Sequence, residues 1–128
     1  MPRFALLRHA PPPDSPHAVH WDLFLEDGDT LLTWALAELP VAQRTIAARS
    51  LPNHRLAYLD YQGPVSGNRG TVTRTDAGSF AWRHRREDEI VIQLDGRLLH
   101  GQASLVQVTA GARDWHFRLQ PESAAPSE

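Results

Sequence analysis

His20-Trp21-Asp22 places two side chains with metal-binding chemistry two positions apart. In an extended strand, residues i and i+2 project to the same face. The His20 imidazole and the Asp22 carboxylate would then stand side by side, with Trp21 turned to the other face. A neutral imidazole beside a carboxylate is half of a divalent-metal site. His9 ends an upstream apolar run, Arg3 to His9, and reaches the same place if the two strands are neighbours. Two imidazoles and one carboxylate, with positions left for water, form a catalytic rather than a structural ligand set, suited to Mn²⁺, Fe²⁺ or Zn²⁺. By spacing alone His-x-Asp is a weak pattern, and unrelated polar residues at strand ends are the plainer reading. Further along, His54 and Tyr58 would share one face of a strand, with Leu56 between them. An imidazole and a phenol near a metal can hold a phosphate oxygen or deliver a proton. A surface histidine and a half-buried tyrosine are the alternative. His17, His84, His100 and His116 show no partner pattern and read as surface residues.

Composition narrows the chemistry. A chain of 128 residues, 41% hydrophobic and 22% charged, predicts one soluble globular domain. Cysteine is absent, which excludes disulfides, thiolate metal sites and a cysteine nucleophile. The formal net charge of −2 argues against a strongly basic nucleic-acid binder. All 13 basic residues are arginine. That bias reads first as genome composition, although arginine clusters form two-pronged contacts to phosphate. Arg83-His84-Arg85-Arg86 reads as a solvated hairpin loop, or else as a patch that tracks a nucleic-acid backbone. Neither a phosphate-cradling glycine loop nor a GxSxG nucleophile elbow occurs. The N-terminal apolar run is too short for a signal peptide and no run approaches a membrane span, so the expectation is a cytoplasmic protein without membrane contact.

The elements that must position these groups read as mostly β. Strands are expected over Arg3–His9, Val19–Glu26 and Thr30–Leu36, with Pro11-Pro12-Pro13 breaking the first and Glu26-Asp27-Gly28-Asp29 turning the second into the third. Val41–Ser50 is ambiguous: Ala42, Gln43, Ala47 and Ala48 suit a helix, but Pro40 and Pro52 leave room for only a short one. Arg55–Tyr61 reads as a strand. Thr71–Thr75 and Ser79–Trp82 read as a hairpin around Asp76-Ala77-Gly78. Glu89–Leu94 and Arg97–Leu99 read as a hairpin around Asp95-Gly96. Ala103–Thr109 and Trp115–Leu119 complete the set, and residues 120–128 read as a frayed tail behind a domain spanning 1–119. Many short strands at even spacing predict an all-β, mainly antiparallel fold. The expected form is a small closed or partly open barrel with at most one short helix.

Several motifs, in order along the chain, resemble the 3′-phosphoesterase domain of bacterial DNA ligase D. His20-Trp21-Asp22-Leu23-Phe24-Leu25-Glu26-Asp27-Gly28-Asp29-Thr30-Leu31-Leu32-Thr33-Trp34-Ala35-Leu36 is similar to that family's H-Y-D-F-R-L-E-x-x-G-x-L-x-S-W-A-V. His54-Arg55-Leu56-Ala57-Tyr58-Leu59-Asp60-Tyr61-Gln62-Gly63 is similar to its H-P-L-E-Y-x-D-F-E-G. Gly70-Thr71-Val72 with Asp76-Ala77-Gly78 resembles its G-T-V…D-x-G, and Leu99 to Val106 resembles its L-K-G-x-W-x-L-V without the tryptophan. The resemblance implies a small β-barrel and Mn²⁺-dependent trimming of DNA 3′ ends, with Zn²⁺ as another possible metal. A terminal ribonucleoside is removed first and the remaining 3′-phosphate after it. It places the metal ligands on His20, Asp22 and, across a loop longer than the family's, His9, with His17 as competitor. The phosphate-facing pair falls on His54 and Tyr58. Phe24, Glu38 and Leu7 stand where the family carries an arginine, a lysine and a glutamine. Arg8, Arg55 or Arg69 would supply replacement charge.

The chain is thus expected to be a stand-alone, divergent phosphoesterase. Its partners would be DNA 3′ ends, such as a primer-template with a 3′ ribonucleotide, and a separate ligase or polymerase of end joining. The alternative is a weak or inactive module on the same barrel that binds DNA ends or a repair partner. A third reading is a small-molecule metalloenzyme.

Overall fold

Alternating apolar and polar residues, interrupted by glycine-bearing turns, build nine strands in the computed structural model, which describes residues 1–121. They are β1 (Arg3–Ala10), β2 (His20–Asp27), β3 (Thr30–Leu36), β4 (Thr45–Arg55), β5 (Gly63–Pro64), β6 (Thr71–Arg85), β7 (Glu89–Gly96), β8 (His100–Gln107) and β9 (Asp114–Pro121). Neighbours run β1-β2-β3-β4-β9-β8-β7-β6, and β6 pairs back onto β1 to close an antiparallel barrel of eight strands. Closure leaves no long free edge to recruit another chain. The two-residue β5 adds only a short pairing to the start of β6. The expected all-β barrel is the fold the chain adopts. Among the described residues no helix is long and apolar enough to cross a membrane.

Two apolar clusters lie on opposite faces of the β1–β2 wall. The barrel interior holds Phe4, Leu6, Leu23, Leu25, Leu36, Ile46, Phe80, Ile92 and Phe117. The alternate residues of the same strands, Ala5, Leu7 and Phe24, join Leu31, Leu59 and Val72 in a second cluster outside. This is why Phe4–Leu7 and Leu23–Leu25 are apolar without alternation: the wall is covered on both faces. The outer cover is residues 56–70, which carry a 3-10 turn at Leu56–Asp60. Asp60 anchors that turn to the barrel, accepting from Arg3 at 2.6 Å and lying 3.7 Å from Arg74.

Several elements differ from the sequence expectation. Val41–Ser50 is not helical: after a turn with Gln43 at φ 63°, β4 begins at Thr45. Ile46 and Ala48 face inward while Thr45, Ala47 and Arg49 face out, and β9 offers a partner ladder that a short helix would leave unpaired. Arg55–Tyr61 is not a strand but the end of β4 and the 3-10 turn, because Leu59 must tuck against the outer wall. Asp76-Ala77-Gly78 is no hairpin turn; β6 runs through it for 15 residues. A bulge at Thr75 and the double pairing of Gly78, to Phe4 of β1 and Gly96 of β7, bend β6 from one partner to the next. A Cβ on Gly78 would sit 2.2 Å from the Asp95 carbonyl oxygen, so only glycine fits that crossing. Asp95-Gly96 likewise stays in β7, and the chain turns at Arg97-Leu98. Gln120 and Pro121, read as tail, belong to β9; residues 122–128 of that tail lie outside the described residues.

Arg83-His84-Arg85 is strand rather than loop. The Arg85 guanidinium binds both carboxylate oxygens of Asp27, at 3.2 and 2.7 Å, and lies 4.3 Å over the Trp82 ring. Its hydrogen bond holds the Asp27 carboxyl below the ordinary carboxylate range. A depressed value means that the pair stabilises the fold at neutral pH and loses its contribution as pH falls through it. Both side chains are partly exposed, so Asp27→Asn should cost less than about 1 kcal/mol at pH 7. The difference from the parent should shrink only as pH falls below the ordinary carboxylate range, as chemical denaturation at neutral and at strongly acid pH would show.

Candidate metal centre

Antiparallel pairing of β1 with β2 sets His9 opposite His20 and Leu7 opposite Asp22. The alternation of β2 turns His20, Asp22 and Phe24 to the outer face of the wall, and Trp21, Leu23 and Leu25 inward. His9, Asp22 and His20 therefore converge, with one ligand atom from each lying within 4.8 Å of the others. His9 Nδ1 is 3.3 Å from Asp22 Oδ2, and His20 Nε2 is 3.1 Å from Oδ1. Two ligands bound about 2.1 Å from one ion are separated by about 3–3.5 Å, so the spacing suits a shared cation.

The polar groups are arranged for such a cation. Asp22 is buried, and Oδ1 has no hydrogen-bond partner despite the nearby His20 ring, whose alignment is poor. A buried carboxylate oxygen left orphaned is costly unless a ligand completes it. His9 Nε2 lies 2.7 Å from the Arg69 carbonyl oxygen. Donation to that carbonyl fixes the proton on Nε2 and leaves the Nδ1 lone pair facing Asp22, the usual outer support of a metal-binding histidine. Burial alone would push the Asp22 carboxyl up, but His20 and His9 beside it reverse this and hold it below the carboxylate range. The Asp22 contact, strengthened by the Arg69 carbonyl and opposed by burial, raises the His9 imidazole above its ordinary value. Both shifts have one cause, a buried carboxylate that favours positive charge beside it.

The cavity over this site is bounded by Leu7, His9, His20, Asp22, Phe24, Leu51, His54, Tyr58, Val65, Arg69 and Val72. His54, at the end of β4, and Tyr58, on the 3-10 turn, do not share a strand face as their spacing suggested. The turn nonetheless brings them together, with ring centroids 5.7 Å apart and edge-on. Both lie against Phe24, at 5.2 and 6.4 Å. His54 Nδ1 is 2.9 Å from the Pro52 carbonyl oxygen, an arrangement that puts the proton there and leaves Nε2 free to face the cavity.

The three candidate arginines separate. Arg69 borders the cavity, with its guanidinium bonded to Ser66 O at 2.7 Å and Ser66 Oγ at 3.1 Å. Arg55 borders an adjoining cleft beside Tyr58. Arg8 alternates with His9 along β1, so its side chain leaves on the other face, at an exposed end of the barrel. His17 lies in the 11–19 loop and is not in the group of three. His84 and His100 pair instead with Glu89 and Asp95, at 3.5 and 3.2 Å. Glu38 is tied to Arg44 by two hydrogen bonds, at 2.7 and 3.1 Å. Sequence reasoning missed the Arg69 carbonyl as the support of His9, since a backbone group carries no residue signature. The nearby Gly70, at φ 98°, was the available signal of a close approach: a Cβ there would sit 2.0 Å from the Ala10 carbonyl oxygen.

No curated protein sequence matches the chain. The family model described as DNA ligase D 3′-phosphoesterase domain matches residues 13–107. That span contains His20, Asp22, His54 and Tyr58 and starts beyond His9, which the β1–β2 pairing alone brings to the group. The match indicates a 3′-phosphoesterase-like function, and with it DNA ends as the general class of substrate. The chain belongs to the DNA ligase D 3′-phosphoesterase domain family.

Proposed function

We propose that this domain is a divalent-metal-dependent phosphoesterase of DNA 3′ ends, removing a terminal ribonucleoside and then the 3′-phosphate. The observation that carries the reading is the convergence of His9, His20 and Asp22 beside a buried carboxylate oxygen with no hydrogen-bond partner. His9 Nδ1, His20 Nε2 and the Asp22 carboxylate would hold the ion, with Mn²⁺ the first choice and Zn²⁺ the second. A divalent ion bound there supplies Lewis-acid polarisation of a phosphoryl oxygen and a bound water of lowered pKa.

The chain's own residues do the rest. His54, steered by the Pro52 carbonyl, accepts a proton at Nε2 when neutral. In its imidazolium form it donates from Nε2 to a phosphate oxygen or to the departing 3′ oxygen. The Tyr58 phenol is a second donor to phosphate. Arg69 keeps guanidinium donors beyond those used on Ser66, and Arg55 adds charge on the approach from the adjoining cleft. Leu7, Phe24 and Val72 form an apolar floor that excludes water from one side of the phosphate. A separate ligase or polymerase of end joining would use the trimmed end, and a cytoplasmic location is part of this proposal.

The test is release of ribonucleoside and phosphate from a 3′-ribonucleotide-tailed primer-template. Turnover should stop in chelator and return with Mn²⁺. Folded protein that turns over nothing with Mn²⁺, Zn²⁺ or Mg²⁺ would remove the hydrolytic reading. One observation favours a binding module instead: the buried Phe24 puts an apolar ring, rather than a cation, against His54 and Tyr58. Its signature would be salt-sensitive binding of DNA ends without hydrolysis, persisting in His20→Ala.

A further inference from the structure

A second cleft adjoins the metal notch and shares Tyr58 and Val65 with it. Its lining is mainly apolar, which does not suit a phosphate. Tyr61 is its exposed aromatic, 37% accessible although large and apolar. The Tyr61 hydroxyl donates to the Pro64 carbonyl oxygen, so the ring is held in place rather than free to rotate away. Tyr58 stands edge-on to it, with centroids 5.9 Å apart, and so links the phosphate-facing pair to the aromatic platform. Arg55 also borders the cleft, exposed, and its guanidinium has no hydrogen-bond or ion-pair partner among the described residues. A fixed ring beside an uncommitted cation, one aromatic away from a phosphate notch, matches the layout of a nucleotide: base on the ring, phosphate in the notch, the next backbone phosphate near arginine.

We infer that this cleft is a nucleobase subsite, in which the 3′-terminal base stacks on Tyr61 while its phosphate lies at His9, His20 and Asp22. The inference rests on the phosphoesterase reading for the identity of the occupant. Stacking reads the π-face common to all bases, so the subsite selects for the presence of a base and little for its sequence. It gives the enzyme a way to prefer an intact 3′ nucleotide over a 3′ end that has lost its base.

The experiment compares two oligonucleotides that end in a 3′-phosphate, identical except that one has a base on the last sugar and the other a tetrahydrofuran in its place. Equilibrium binding is read by fluorescence anisotropy, and hydrolysis in the presence of Mn²⁺ is read separately. The parent should bind the base-bearing end about 5- to 100-fold more tightly, the range that one base–aromatic stack supports. In Tyr61→Ala that ratio should fall towards one, while Tyr61→Phe, which keeps the ring, should retain most of it. A parent that binds both ends equally, or a Tyr61→Ala ratio equal to the parent's, overturns the subsite. Base-dependent binding without hydrolysis keeps the subsite and removes the hydrolase. Hydrolysis of both ends at equal rates keeps the hydrolase and removes the subsite. Absence of both binding and hydrolysis removes both.

Discussion

Asp22→Asn is expected to lower divalent-metal affinity by at least about 100-fold and to abolish turnover at micromolar Mn²⁺. Loss of an outer partner of a metal ligand already costs 10- to 100-fold, and Asp22 would be a ligand itself and the only anion of the three. The amide matches the carboxylate in size, so packing around Leu7 and Phe24 is kept. It cannot offer two anionic oxygens to the imidazoles on either side, which stand at 3.3 and 3.1 Å. Titration of Mn²⁺ followed by electron paramagnetic resonance reads the affinity directly, and melting in chelator checks that the barrel is intact. His54→Ala should separate the roles: Mn²⁺ binding close to the parent's, with turnover reduced by about 10²- to 10⁴-fold, the usual contribution of a positioned proton donor. Mn²⁺ binding by Asp22→Asn at parental affinity would move the ion elsewhere and undo the assignment of all three ligands.

Asp76→Ala should be the most damaging single change outside the site. Asp76 is buried in the middle of β6, and its carboxylate closes the turn between β7 and β8. Oδ1 accepts from Arg97 N at 3.0 Å, while Oδ2 accepts from Leu98 N at 3.0 Å and Leu99 N at 2.8 Å. Hydrogen bonds to an ionised acceptor contribute about 1.5–3 kcal/mol each, and deletion also strands the buried Leu99 N–H. Because such terms are not additive, a loss of about 3–5 kcal/mol is expected, which is a large share of a small domain's stability. Asp76→Asn should fall between, since one amide oxygen cannot serve all three donors. Urea denaturation of the three proteins gives the ordering, and a parental midpoint for Asp76→Ala would show that the turn closes without the carboxylate.

Asp76 also shows where the sequence stops being legible. Asp-Ala-Gly has the composition of a tight turn, and local chemistry cannot separate that from a strand residue reaching a loop more than 20 positions away. Gly78 and Gly96 carry the same ambiguity. They read as turn glycines, yet both lie within strands, where a Cβ on Gly78 would strike the β7 backbone at Asp95 and one on Gly96 would strike the Asp76 and Phe4 side chains. The reading of Arg55–Tyr61 as a strand fails for a related reason: Leu59 faces the outer side of the wall, which no periodicity in its own segment reveals. By contrast, β1, β2 and β3 were legible because each has a local signal, a β-rich run or a Gly28 turn at φ 63°. The grouping of His20 with Asp22 follows from the two-residue period of a strand alone, and His9 joins them on the condition that the two strands are neighbours, which the β1–β2 pairing meets.

The candidate site hangs on the convex side of the wall, roofed by residues 56–70, while the enclosed space of the barrel is given over to hydrocarbon. Chemistry and cohesion thus occupy opposite sides of a single sheet layer. Substitutions that make the inside more heat-resistant can accumulate without redrawing the reaction centre, and exchanging the roof can retune what is recognised without weakening the shell.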